Sequence, residues 1–230
     1  VHATPASFYA NVESRKEYQE IALQLSENQV DYFIGGGEKH FNKRDDKRDL
    51  IEEMKNKGYE IVTTLSKFQK SESKKLGYFT YKDEPPRVLD LRKPSLEDLL
   101  SSTIEKMENK KAPFFIMVEG SQIDWGGHGN DSNYVVTEFK DFNDAVNIAV
   151  NFARKNQNTL VIVTADHETG GMSITKGSVR TFKFEASFTT LGHTASMVPV
   201  FSLGPFSEKF SGIYENTSIF DKMLESIEKK

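Results

Sequence analysis

Apolar residues recur along this chain in two rhythms. Short continuous runs read as buried strands, and spacings of three and four read as amphipathic helices. Residues 30–34 (VDYFI) form one run and end in Gly35, Gly36 and Gly37, a strand leading into a turn. Residues 46–57 read as a helix closed by Gly58, followed by YEIVTTL as a strand. Ser95 opens another helix, with Pro94 before it and Asp98 three residues on in a capping-box pattern. Its apolar face is Leu96, Leu99, Leu100, Ile104 and Met107. FFIMVE reads as a buried strand ending at Glu119, and TLVIVTAD as another ending at Asp166. Between them a long helix over about residues 133–155 carries Val135, Phe139, Phe142, Val146, Ala149 and Ala153 on one stripe. VPVFSLG is a further strand, stopped by Gly204 and Pro205. A last helix, about 217–228, lines up Ile219, Phe220, Met223, Leu224 and Ile227. Apolar strands alternating with amphipathic helices predict an α/β layer fold with a largely parallel sheet. Ligand sites in such sheets lie beyond the carboxyl ends of the strands, where Glu119 and Asp166 fall.

Composition narrows the function classes without choosing one. The chain has 230 residues, enough for one large domain, and a formal net charge of -4. That charge offers no basic surface for nucleic acid or anionic lipid. No apolar run approaches the 18 residues of a membrane-spanning helix. With no cysteine, disulfides, thiolate metal ligands and a cysteine nucleophile are excluded. The charge-rich stretches 38–57, which includes His40, and 66–75 read as solvated faces and loops.

The chemistry concentrates in three segments. VEGSQIDWGGHGND sets Glu119, Asp124 and His128 within ten residues, TADHETGG pairs Asp166 with His167, and GHTAS supplies His193. Zinc takes neutral imidazole and carboxylate ligands, and a catalytic zinc keeps an open position. Asp124, His128 and His193 can supply three such ligands. One helical turn puts Asp124 and His128 on one face, or Gly126 and Gly127 let the chain bend. Asp166 and His167 diverge as neighbours in a regular strand, but a turn at the strand end lets both reach one ion. Glu119 suits a harder cation such as magnesium. A lone histidine near glycine is usually a surface residue, and a lone aspartate at a strand end is usually a helix cap. Six such groups flanking buried strands favour a centre holding more than one metal ion. Asp131 and Glu168 read as surface residues or as supports behind the ligands.

These segments resemble alkaline phosphatases over nearly the whole chain. The family carries V-E-G-x-x-I-D with a histidine four residues later, then T-A-D-H, then a late H-T motif, in this order. HATPASFYANVESR is similar to the family's A-T-P-A segment followed by a helix carrying an arginine. The glycines after VDYFI and the closing YENTSIFDKM are similar to it as well. The resemblance implies a three-layer sandwich with a largely parallel central sheet, truncated at its amino-terminal side. It implies two zinc ions and one magnesium ion. Asp124, His128 and His193 would hold the first zinc. Asp166 and His167 would help hold the second, and Thr4 and Glu119 the magnesium. Arg15 would grip the substrate phosphate, and His2 and Trp125 would tune metal affinity and phosphate release. The implied reaction is hydrolysis of phosphate monoesters in two in-line steps through a phosphoserine, with two metals clamping the attacking and leaving oxygens.

The family's nucleophilic serine sits in an Asp-Ser-Ala context upstream of A-T-P-A, and that motif begins here at residue 3. Asp131-Ser132 is the sole Asp-Ser pair in the chain and reads as a helix start. The chain is thus expected to be the carboxyl-terminal portion of such an enzyme. The nucleophilic serine is absent, only the first zinc site has all its protein ligands, and activity alone is doubtful. Uncovered strand edges are expected to favour association. The span from residue 168 to 192 leaves room for a hairpin or loop and no large cap, so residues 1–230 read as a single partial domain. By resemblance the complete protein is expected to be a periplasmic or extracellular homodimer. Phosphodiesterases, sulfatases and cofactor-independent phosphoglycerate mutases share this architecture and some ligands. A non-catalytic metal-binding fragment is the competing reading from another class.

Overall fold

The computed structural model describes residues 1–28 and 30–228, and the chain divides into two compact units, Val1–Glu119 and Gly120–Lys230. The first contains α1 (Ala3–Ser7), α2 (Tyr18–Glu27), β1 (Tyr32–Gly35), α3 (Lys39–Asn42), α4 (Leu50–Asn56), β2 (Glu60–Val62), α5 (Leu65–Lys70), β3 (Leu76–Phe79) and α6 (Leu96–Lys110). Its three strands form a parallel sheet in the order β1-β3-β2. This is the α/β architecture with a parallel sheet that the alternation of strands and helices predicts.

The central strand is β3, Leu-Gly-Tyr-Phe, every residue of which is buried. Gly77 is required there, because a Cβ would stand 2.3 Å from the Phe33 ring. On one side, Phe41, Leu50, Met54 and Phe79 form the main core, with Phe33 stacked on Phe41 at 6.3 Å and edge-on to Phe79 at 5.4 Å. A second cluster joins Val62, Phe68, Leu76 and Tyr78.

Helix starts follow local chemistry. The helix expected from residue 46 begins at Leu50, because the Asp49 side chain accepts from the N–H groups of Ile51 and Glu52 and fixes the cap there. The YEIVTTL strand stops at Val62, since Thr64 turns to cap α5. Ser95 and Asp98 make the reciprocal capping box of α6 at 3.1 and 3.0 Å. The Ser95 side chain and backbone N–H hold the Asp98 carboxyl below the usual carboxylate range. Because this folded-state value is depressed, the stabilisation is complete at neutral pH and is lost as pH falls through it. Asp98→Ala is therefore expected to cost about 1 kcal/mol at pH 7. The difference should shrink in acid, read by urea denaturation at pH 7 and below pH 4.

Two expectations change in this unit. FFIMVE does not form a strand: residues 113–119 carry no ladder partner among the described residues, and Phe115 is 60% exposed. Arg15 does not sit on a helix. It lies exposed in the turn that precedes α2, where Glu17 N–H donates to the Ser14 carbonyl and Ser14 N–H to the Glu17 carboxylate.

The second unit contains α7 (Gln122–His128), α8 (Ser132–Asn156), β4 (Val161–Val163), β5 (Glu168–Thr169), β6 (Ser173–Ser178), β7 (Lys183–Ser187), β8 (His193–Thr194), β9 (Phe201–Leu203) and α9 (Ser218–Glu228). Its strands pair antiparallel as β4-β9, β5-β8 and β6-β7. The predicted long helix is α8, and Asp131 caps it by accepting from Asn133 and Tyr134 N–H. Along its stripe Ala153 is buried and Phe139 is 57% exposed. Phe201, Phe220 and Ile227 are also mostly exposed, so the apolar surface of this unit is only partly covered. Among the described residues no helix is long and apolar enough to cross a membrane.

Candidate metal centre

The centre is assembled in the second unit from α7, the turn after β4, and the β5-β8 ladder. Asp124 and His128 stand four apart on α7, so the helix itself puts them on one face. Gly126 and Gly127 remain helical, so of the two arrangements open to the sequence the chain takes the helical turn. Their role is close approach. A Cβ on Gly126 would lie 2.8 Å from Val135 N at the start of α8, and one on Gly127 would lie 2.7 Å from the Thr169 carbonyl of β5. The buried Tyr134 hydroxyl donates to Gln122 Oε1 at 2.8 Å and ties α8 to α7.

β5 and β8 are only two residues each, paired Glu168 with Thr194 and Thr169 with His193. Glu168 holds this short ladder. Its carboxylate accepts from Gly171 N–H at 2.9 Å, from Met172 N–H at 3.4 Å and from the Thr194 hydroxyl. Gly170 and Gly171 turn the chain with φ of +91° and +62°, a conformation side chains disfavour. Gly170 N–H donates to the Gly192 carbonyl and Thr189 N–H to the Gly170 carbonyl, both at 2.9 Å, closing the base of the β6-β7 hairpin.

Asp124, His128 and His193 converge, each offering a ligand atom within 4.8 Å of the others. The His128 Nε2 to His193 Nε2 distance is 3.2 Å, and Asp124 Oδ1 stands 3.4 Å from the first and 3.7 Å from the second. Tetrahedral zinc with bonds near 2.0–2.1 Å spaces its ligand atoms by about 3.3 Å, so these edges fit such an ion. Proton accounting agrees for His128. Its Nδ1 is 2.6 Å from the Leu191 carbonyl, which can only accept, so Nδ1 carries a hydrogen and, in the neutral ring, Nε2 presents its lone pair to the cluster.

Asp166 and His167 also converge despite being neighbours. Asp166 Oδ1 accepts from His167 N–H at 3.1 Å, and Asp166 Oδ2 stands 3.1 Å from His167 Nε2. The His167 ring stacks on His193 with centroids 3.5 Å apart, so the pair lies beside the first cluster. These side chains are half-exposed, from 27% for His167 to 60% for Asp166, leaving the centre open to an incoming ligand.

Thr169 is the residue the sequence reading misses. Its hydroxyl lies 2.6 Å from Asp124 Oδ1 and 3.1 Å from His167 Nδ1. The available signal was its place two residues after His167, a spacing that turns two side chains to one side of an extended chain. Trp125 sits half-buried on α7. Thr4, Arg15, Glu119 and His2 belong to the first unit. There Thr4 lies in α1, and His2 stacks on Tyr18 at 5.9 Å, which in turn packs on His40 at 5.1 Å. Burial lowers the His40 pKa from its ordinary value. Glu119 is the half-buried last residue of the first unit.

Residues 1–186 match the family model described as Alkaline phosphatase. Alkaline phosphatase 4 of Bacillus subtilis is 35% identical over 235 residues, covering 99% of this chain and 50% of the relative. Alkaline phosphatase 3 of the same organism is 32% identical over 306 residues, covering 99% of this chain and 66% of the relative. The chain therefore spans about half to two thirds of these relatives. The solved alkaline phosphatase from the Antarctic bacterium TAB5 superposes with a TM-score of 0.91 at 41% identity, covering 98% of this chain and 68% of that one. A variant of the TAB5 enzyme, described with magnesium bound in its M3 site, gives 0.90 at 40% identity, with the same coverage. With the family match running from the A-T-P-A segment past the T-A-D-H motif, this chain belongs to the alkaline phosphatase family.

Proposed function

We propose that the chain carries the metal-binding portion of an enzyme that hydrolyses phosphate monoesters through a phosphoserine intermediate. The supporting observation is the convergence of Asp124, His128 and His193, whose ligand atoms lie within 4.8 Å of one another at spacings that suit zinc. In this reading those three hold the first zinc. Asp166 and His167 contribute to the second, and Thr4 and Glu119 to a magnesium ion. Arg15 binds the phosphate through its planar fork. His2 and Trp125 adjust metal affinity and phosphate release.

When bound, the metals supply positive charge at the attacking and leaving oxygens of the transferring phosphoryl group. The chain's own contribution is orientation. The Leu191 carbonyl fixes the His128 ring, α7 fixes Asp124 relative to His128, and the β5-β8 ladder carries His193 opposite Thr169. The half-exposed side chains leave room for a monoester. The family resemblance extends the reading to a periplasmic or extracellular homodimer. The short β6-β7 hairpin supports the absence of a large cap between residues 168 and 192.

Anion binding tests this reading without requiring turnover. The zinc- and magnesium-loaded chain is expected to bind inorganic phosphate more tightly than sulfate in calorimetric titrations, and to lose that binding on chelation. Preference for sulfate, or phosphate binding that survives metal removal, would overturn it.

A further inference from the structure

We propose that the Thr169 hydroxyl is a positioning group that couples the two halves of the metal centre by fixing Asp124 and the tautomer of His167 at once. The inference rests on the metal-binding reading above and deepens it.

The argument is one of proton count. A threonine hydroxyl has one hydrogen to give and two lone pairs. Its oxygen lies 2.6 Å from Asp124 Oδ1 and 3.1 Å from His167 Nδ1. A carboxylate can only accept, so the single hydrogen goes to Asp124. The approach to His167 Nδ1 is then favourable only when that nitrogen carries its own hydrogen and donates to the threonine. In the neutral ring that a metal requires, this assignment leaves the lone pair on His167 Nε2, the nitrogen 3.1 Å from Asp166 Oδ2. An imidazole lone pair facing a carboxylate oxygen calls for a cation between them. One hydroxyl thus orients a ligand of the first cluster while turning the lone pair of the second pair inward.

The backbone gives Thr169 the stiffness such a role needs. It pairs with His193 across the β5-β8 ladder. Its carbonyl and Cβ pack so closely on Gly127 that a methyl there would come within 2.7 and 3.0 Å of them. The residue therefore touches or pairs with elements carrying Asp124, His128, His167 and His193. Groups behind metal ligands commonly contribute 10–100-fold to metal affinity.

Thr169→Val keeps the shape and removes the hydroxyl, and Thr169→Ser keeps the hydroxyl. In the intact chain, Thr169→Val is expected to weaken zinc binding about 10–100-fold by calorimetry, and Thr169→Ser less than about threefold. Proton spectra of the zinc-loaded chain should show a His167 Nδ1–H protected from exchange with water in wild type and Thr169→Ser, and an exchange-broadened one in Thr169→Val. Asp124→Ala separates this proposal from the reading beneath it. If Asp124→Ala abolishes tight zinc binding and Thr169→Val matches wild type, the coupling is wrong and the metal centre stands. If neither change matters, the metal centre itself is wrong. Should Thr169→Val not fold, wild type and Thr169→Ser still decide: zinc held through His167 Nδ1, with the hydrogen on Nε2, in the loaded form of both would overturn the proposal.

Discussion

Zinc binding by the 230-residue chain is expected to fall at least about a hundredfold on Asp124→Ala. The reason lies in the geometry of three ligand atoms. Asp124 Oδ1 closes the triangle whose other corners are the His128 and His193 Nε2 atoms 3.2 Å apart. Without it, two imidazoles face one another with no carboxylate of their own cluster to offset the cation. They also lose the group to which Thr169 is anchored. The change should leave folding largely intact, because Asp124 is half-exposed and α7 is held to its neighbours by Gln122 and the two glycines. Calorimetric titration with zinc measures the loss directly. Equal affinity in wild type and variant would mean that the three side chains meet for some purpose other than holding an ion.

Turnover of p-nitrophenyl phosphate by the same chain, fully supplied with zinc and magnesium, is expected to be at least about a thousandfold below that of a complete Bacillus relative. The proposed reading needs an activated serine in an Asp-Ser-Ala context, and catalysis without the nucleophile of such a unit falls by this order or more. The 230 residues hold no Asp-Ser-Ala sequence. The one Asp-Ser pair is committed elsewhere: Asp131 caps α8 through Asn133 and Tyr134, and Ser132 is the first residue of that helix. Ser132→Ala should therefore leave whatever residual rate exists unchanged. Metal-promoted hydrolysis by water is the ceiling for what remains. A rate within tenfold of the complete relative would show that another side chain attacks phosphorus.

Much of this was legible before any coordinates, and the limits have physical causes. Helices α6 and α8 announce themselves because caps and periodic apolar positions are local properties, written within a few residues of each other. Asp124 and His128 are legible for the same reason, since a helix turns their spacing into adjacency. The central strand β3 is not, because four residues with a glycine among them carry no alternation and follow a run of charges. FFIMVE shows the opposite error. Its apolar run is real, but a strand exists only where a neighbour supplies hydrogen bonds, and the run itself says nothing about neighbours. The same holds for β5 and β8, two-residue strands created by their pairing. Thr169 goes unnoticed, and Glu168 reads only as a surface or supporting residue, because their importance comes from what they face across that ladder.

The ladder has one more consequence. Everything between Ser173 and Ser187 leaves and re-enters the protein through a gate closed by Gly170, Thr189 and Gly192. Lengthening such an excursion costs free energy only logarithmically. Descendants of this chain can therefore graft longer arms at that point, or trim the present one, while Thr169 and His193 stay in register.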